Sequence, residues 1–203
     1  MPRFILSILF GLACVSGARA EEVSPQDLPF DREQINRYSL DHLPRSISIR
    51  QGEDFWLGYD LPRATLYKAW QAPRGKAGLK ASGFVMRSVG KALYEDKSDE
   101  TWKLRRGGKT SPLASRYLGC TQREKYFELR WELTHQSDVV TLRERVPLTA
   151  ENPVTREIQV AALPAGSQLL LPTPAHKGWQ LKSADGTDAT SLVDAQWYQL
   201  TTR

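Results

Sequence analysis

The amino-acid sequence predicts an all-β protein with the architecture of an antiparallel β-sandwich. Short runs of alternating polarity recur from Ser46 onward, and clusters of Gly, Pro, Asn and Asp separate them. No run of ten or more residues keeps a convincing helical period, and no repeat of fixed length indicates a solenoid or a propeller. Closely spaced short strands without intervening amphipathic helices are typical of sandwiches and barrels.

The N-terminal residues 1–20 have the features of a secretory signal peptide. Arg3 gives a positive start, residues 4–15 are an apolar run, and the sequence ARA provides a small-x-small cleavage site. The apolar run is too short to span a bilayer, and no later stretch is long and apolar enough to do so. We therefore expect an exported chain without a membrane span that begins near Glu21 and is periplasmic or extracellular.

Residues 21–45 are a polar lead-in that prolines interrupt. Within it, DREQINRY (residues 31–38) suggests a short helix, because Asp31 is placed to cap it and Gln34 follows three residues later. We expect an irregular or helical lead-in and then a single β-sandwich domain, residues 46–203. The segment after the linker-like LTAENPV is small for a core of its own, so its strands are expected to join the second sheet.

The most regular alternation lies in YFELRWEL (residues 126–133) and VVTLRERV (residues 139–146). Each segment places apolar side chains on one face and mainly polar ones on the other, as in strands with one buried side. The turn-like THQSD, which contains His135, joins them, so the pair predicts an antiparallel hairpin. The residues predicted to face the core are Phe127, Leu129, Trp131, Leu133, Val140, Leu142 and Val146.

A second pair of strands, FWLGYD and TLYKAW, is joined by an Asp-Leu-Pro-Arg turn. Strict alternation places Phe55, Leu57 and Tyr59 on one face of the first strand and Trp56 on the other. On the second strand it places Leu66, Lys68 and Trp70 opposite Thr65, Tyr67 and Ala69. Both faces of each strand therefore carry an aromatic residue. The second face must be covered by other parts of the chain, by a partner or by a ligand.

Trp56, Tyr67 and Trp70 are the candidate binding residues that this pattern provides. An indole offers a large apolar area and one hydrogen-bond donor, which suits sugar rings and other flat or amphipathic ligands. Aromatic residues in strands also commonly fill a core, so a sandwich buried on both sides explains the same pattern. Both interpretations stay open at the level of sequence.

Three motifs occur in order: DFWLGYDLPRATLYKAWQA, ASGF after a Gly-rich segment, and the strand pair that ends in RERVPL. On these motifs, residues 45–148 resemble a module found beside c-type cytochrome and sugar-dehydrogenase-like domains in large exported proteins of planctomycetes and verrucomicrobia. It implies an exported β-sandwich accessory module, akin to the sandwiches of galactose mutarotases and carbohydrate-binding domains. It implies a partner such as a c-type cytochrome or a dehydrogenase.

The composition argues against several functional classes. The formal charge of +5 would fall to +3 on loss of Arg3 and Arg19, and acidic and basic residues alternate in LRERV and YFELRWEL, so we expect no nucleic-acid partner. Cys120 is the single cysteine after residue 20, and no Cys-x-x-Cys-His is present, so the chain is not a cytochrome c. RRGGKTSP (residues 105–112) lacks the spacing of a phosphate loop and predicts a basic hairpin turn.

No motif of a hydrolase, a metal site or a dinucleotide-binding fold is present, so we assign no catalytic residue, metal or cofactor. The expected function is an exported, non-catalytic module that binds a glycan or a partner protein and is accessory to a sugar-oxidising or cytochrome system. The alternative is a mutarotase-like sugar-processing enzyme, which needs a His and a Glu in one pocket. His42, His135 and His176 are the available histidines, and all three are expected in loops or turns.

Overall fold

The computed structural model describes residues 34–149, 154–172 and 179–202, and these residues form sixteen β-strands. The expected signal peptide and residues 21–33 of the lead-in lie outside the described residues, as does His176. The strands are β1 Ile35–Asn36, β2 Ser46–Gln51, β3 Phe55–Asp60, β4 Thr65–Gln71, β5 Leu79–Ser82, β6 Val85–Ser88, β7 Lys91–Glu95, β8 Lys103–Arg106, β9 Lys109–Pro112, β10 Ala114–Gln122, β11 Tyr126–His135, β12 Asp138–Pro147, β13 Thr155–Ala161, β14 Ser167–Leu170, β15 Trp179–Ser183 and β16 Trp197–Thr202.

Two antiparallel sheets form the body of the fold, which confirms the predicted all-β class. The five-stranded sheet has the order β1-β2-β3-β4-β7, and the six-stranded sheet has the order β10-β11-β12-β13-β16-β15. Buried side chains from both sheets share one core, in which the rings of Tyr59 and Trp131 lie 6.3 Å apart. The C-terminal strands β13, β15 and β16 extend the sheet that contains β11 and β12.

The hairpin predicted from alternation is present as β11 and β12. Trp131 is opposite Leu142, and all seven side chains predicted to face the core are buried. His135 ends β11 instead of lying in the turn, because the pairing continues to His135 and Asp138. Gln136 makes the tight reversal with a φ of 54°.

A small sheet of order β14-β8-β9 contributes Leu104 and Leu169 to the same core. Its β8–β9 connection is the two-residue turn Gly107–Gly108, with φ values of 54° and 78°. Positive φ at both positions is the geometry that favours glycine in a tight hairpin. The basic RRGGKTSP segment is therefore a hairpin, as predicted.

The Asp-Leu-Pro-Arg turn between β3 and β4 is held by side chains from distant parts of the chain. The indole of Trp131 donates to the Leu61 carbonyl at 3.0 Å, and that of Trp102 donates to the Ala64 carbonyl at 2.8 Å. Arg63 forms an ion pair with Asp96 at 3.1 Å. Burial raises the pKa of Asp60, against the opposing effect of the Arg63 amide and guanidinium. The turn is thus a fixed part of the core.

The lead-in is not helical over its described part, so that prediction is wrong for residues 34–38. Ile35 and Asn36 form β1, which pairs with β2 and places Ile35 opposite Ile49. Arg50 also donates its backbone amide to the Gln34 carbonyl at 2.7 Å. Burial of Ile35 in the core supports pairing at the sheet edge over a short isolated helix.

Candidate functional site

Strand β4 carries a bulge that rearranges its two faces. Gly58 pairs with Lys68 and Tyr59 pairs with Leu66, so Tyr67 is an extra residue on β4. The strict alternation predicted for β4 is therefore wrong, because one inserted residue shifts every later side chain to the other face. Leu66 and Ala69 face the main core, whereas Tyr67 and Trp70 face outward. The bulge brings both aromatic residues to the face that Trp56 occupies.

These outward residues form a second hydrophobic group, here called the outer cluster. It comprises Leu40, Trp56, Tyr67, Trp70 and Ala72, with Leu43 and Leu79 packed against it. Residues 38–43 and the β5–β6 hairpin lie over it, and we call this layer the cover. The two parts of the cover are joined where Asp41 donates its amide to the Met86 carbonyl at 2.7 Å. The second aromatic face is thus covered by other parts of the chain, and not by a partner or a ligand, over these residues.

Two glycines let the cover approach the sheet closely. A Cβ atom on Gly58 would lie 2.3 Å from Leu40 Cδ2, and one on Gly78 would lie 2.2 Å from Trp56 Nε1. Trp70 donates its indole N–H to the Gly78 carbonyl at 2.8 Å and stacks on Trp56, with 6.0 Å between ring centroids and 13° between ring planes. Any larger side chain at Gly78 would displace the Trp56 indole.

Polar contacts tie the cover to the sheet beneath it. The Asp41 carboxylate accepts from the backbone amide and the hydroxyl of Ser88, both at 2.9 Å, and pairs with the Lys68 ammonium at 3.6 Å. Lys68 also donates to the Ser88 hydroxyl at 2.8 Å. Burial raises the pKa of Tyr67, and the neighbouring carboxylates of Asp41 and Glu95 raise it further. These hydrogen bonds and this ion pair give the polar groups between the cover and the sheet their partners.

An open groove of about 480 Å³ lies beside Trp56, at one edge of the cover. The β2–β3 turn and the connection from β4 to β5 form its walls, and Trp56 is 7% exposed. None of its charged side chains forms an ion pair with another described residue. The lining consists of Arg50, Glu53, Asp54, Trp56, Arg74, Gly75, Lys76, Ala77 and Gly78.

Of the three predicted binding residues, the structure brings Trp56 to this groove and places Tyr67 and Trp70 beneath the cover. Sequence reasoning missed the charged residues of the groove. The available signal was the Gly-rich connection PRGKAG after β4, because its two cations follow directly on the aromatic strand. Long-range placement of Glu53 and Asp54 against that connection depends on the fold.

The groove contains no histidine among the described residues that line it. His42 lies in the cover, where its ring is perpendicular to that of Tyr67 with 5.2 Å between centroids, and His135 ends β11. In the described part of the chain, no group of three or more His, Cys, Asp or Glu side chains is placed to hold a metal ion. That part also contains no helix capable of crossing a membrane.

A second group of ionisable residues lies inside the sandwich, away from any open surface. Tyr59 donates to Glu144, and Arg156 donates to the same carboxylate oxygen at 2.9 Å. The guanidinium of Arg156 lies 4.8 Å from the ring centroid of Trp179. Burial, then the Glu144 charge, raises the pKa of Tyr59 well above its usual value. Burial alone would lower the pKa of Arg156, but Glu144 raises it. These residues join the two sheets.

Comparison of the chain with protein-family models, with curated proteins and with solved structures gives no match.

Proposed function

We propose that this protein is an exported, non-catalytic module that binds a glycan in the Trp56 groove. One observation supports this most. A single open groove combines the 7% exposed Trp56 with carboxylates and cations that form no ion pair with described residues. Trp56 supplies apolar contact for a sugar ring, and stacking on Trp70 fixes its orientation. Tyr67 and Trp70 act as the support beneath the binding residue.

The charged groups of the groove suit a hydroxyl-rich ligand. Carboxylates of Glu53 and Asp54 can accept from sugar hydroxyls, and Arg74 and Lys76 can donate to hydroxyl or carboxylate oxygens. Arg50 is positioned by the hydrogen bond from its Nε to the Glu53 carbonyl at 2.8 Å. A small number of placed polar groups beside an aromatic side chain can fix the orientation of a small ligand.

A glycan array probed with the purified protein, followed by calorimetry on the best ligand, tests this proposal. Arg74→Ala and Asp54→Asn should each weaken binding about tenfold, since each removes a charged hydrogen bond. Lys109→Ala, on the exposed β8–β9 hairpin, is the control and should bind as the unchanged protein does. Absence of any glycan binding, or equal affinity in all three variants, would contradict the proposal.

The mutarotase-like alternative lacks an equivalent observation. Proton transfer at an anomeric carbon needs an acid and a base directed at one ring. Among the described residues the groove provides two carboxylates and no histidine. Binding of a ligand by these side chains needs no such acid and base.

The accessory role and the export of the chain are further parts of the proposal. The resemblance of residues 45–148 to modules beside cytochrome and dehydrogenase domains supports a c-type cytochrome or sugar dehydrogenase as the partner. The signal-peptide features of residues 1–20 support export. N-terminal sequencing of the exported protein should give Glu21, and recovery of Met1 in the membrane fraction would contradict export.

A further inference from the structure

The β5–β6 hairpin ends in an unusually exposed aromatic residue. Phe84 is 100% exposed at its tip, and Tyr38, in the adjoining part of the cover, is 68% exposed. Together with Val85 and Met86 they line a shallow, mainly apolar depression of about 310 Å³. Contiguous apolar exposure of this kind marks a surface that meets a partner or a membrane.

The hairpin also lies in a stretch of single-sign charge. Residues 61–94 contain seven basic residues and no acidic residue. The sequence-based expectation that charges are interspersed is therefore wrong for this stretch. Arg63 and Lys68 pair with acids from elsewhere, but the other five form no ion pair with any described residue. These five exposed residues are Arg74, Lys76, Lys80, Arg87 and Lys91.

Two of the cations oppose each other directly next to the apolar tip. Lys80 pairs with Arg87 across the hairpin, so two like charges share one face. Directly opposed like charges destabilise an antiparallel pair. Arg87 donates to the Asp41 carbonyl at 3.1 Å, which orients its guanidinium without neutralising it. An anionic surface would relieve this repulsion.

We propose that the β5–β6 hairpin tip docks on an anionic lipid surface, with Phe84 in the interface and Lys80 and Arg87 among the headgroups. The ring of Phe84 is fully exposed at the end of the hairpin and has no hydrogen-bonding group, which fits insertion between lipids. An apolar side chain such as Phe gains free energy by entering the boundary between headgroups and acyl chains. Flanking Lys and Arg are attracted to anionic headgroups. This surface is separate from the lining of the Trp56 groove.

Fluorescence of a Phe84→Trp variant of the full chain, with vesicles added, tests the proposal at the residue concerned. Five of the six native tryptophans are buried, so the difference from the unchanged protein reports position 84. Vesicles of phosphatidylcholine mixed with phosphatidylglycerol should shift its emission to the blue and protect it from acrylamide. Vesicles of phosphatidylcholine alone should have little effect. A local readout is needed because the apolar residues 4–15 could bind lipid by themselves.

Cosedimentation with the anionic vesicles gives the energetic test. Phe84→Ser should lower the partition coefficient about tenfold, and Lys80→Gln about fivefold. Val139→Ser and Lys109→Gln, at exposed positions on other hairpins, should leave it unchanged. An unshifted emission from the Phe84→Trp variant, an equal blue shift with neutral vesicles, or equal partitioning of Phe84→Ser and the unchanged protein would each overturn the proposal.

Discussion

At the residue scale, Glu144 is the most consequential polar side chain in the core. It is fully buried on the inward face of β12 and accepts from both Tyr59 and Arg156. Its other carboxylate oxygen and the Nε of Arg156 have no hydrogen-bond partner among the described residues. The pair therefore depends on mutual neutralisation, and removal of one charge leaves the other buried.

Glu144→Gln should lower the free energy of unfolding by about 3–5 kcal/mol, the usual cost of breaking a buried ion pair. Glu132→Gln is the matched control, because Glu132 pairs with Arg116 on the outer face of the same sheet, where Arg116 is largely exposed. That substitution should change stability by less than about 1 kcal/mol. Urea denaturation measures the free energy of unfolding of both variants. Equal small losses would show that the buried pair of Glu144 and Arg156 matters no more for stability than a surface ion pair.

Alternation along β12 could have revealed Glu144 before the structure was known. Val140, Leu142 and Val146 define the inward face, and residue 144 is the missing member of that series. An acid at such a position needs a buried cation. Its partner, Arg156, could not be named from the sequence, because it comes from another strand and depends on sheet order.

At the element scale, the cover and its two glycine contacts decide how the aromatic strands are used. The β11–β12 hairpin was predictable because its pairing contains no bulge, and because Glu144 is the single polar interruption on the inward face of β12. The β3–β4 pair was predictable only in part, since a single bulge at Tyr67 reverses the faces of the residues beyond it. No local property of TLYKAW marks the bulge. Covering by the chain itself was one of the open interpretations, but the segments that form the cover could not be named, because they have little periodicity.

Gly78→Ala should destabilise the protein by about 1–3 kcal/mol, the usual range for overpacking. The new Cβ would meet the indole of Trp56, which is held from behind by Trp70. Displaced Trp56 should become more exposed, so tryptophan emission should shift to the red. Thermal unfolding and emission spectra measure both effects. Unchanged stability and emission would mean that the cover does not lie on Trp56.

At the scale of the whole molecule, buried tyrosines link stability to alkaline pH. Burial raises the pKa of Tyr94 to about 12, against a smaller opposing effect of Arg156. Burial also raises the pKa of Tyr59 and Tyr67. In the unfolded chain a tyrosine ionises near pH 10. A native pKa above this unfolded value contributes stability that is complete below about pH 10. That stability is lost as the pH rises through the native pKa.

We therefore expect the contribution of the tyrosines to the free energy of unfolding to be constant just below pH 10 and to decline toward pH 12. Tyrosinate absorbance should lag behind that of free tyrosine until the fold is lost and then rise together with the loss of circular dichroism. Tyr94→Phe should make the decline shallower, because one linked ionisation is removed. Full ionisation of all tyrosines near pH 10 in the folded protein would contradict the burial described for them.

The central claim is that the aromatic residues of β3 and β4 fill two layers, with only a small part of Trp56 exposed to a ligand. Unfolding free energies of Trp56→Ala, Leu57→Ala and Arg74→Ala test it most directly. Trp56→Ala should cost about 3–5 kcal/mol and Leu57→Ala about 2–5 kcal/mol, as for other buried side chains of these types. Arg74→Ala, on the exposed wall of the groove, should stay within about 0.5 kcal/mol of the unchanged protein. A loss of less than about 1 kcal/mol for Trp56→Ala would contradict the claim, since it is the response of a surface residue.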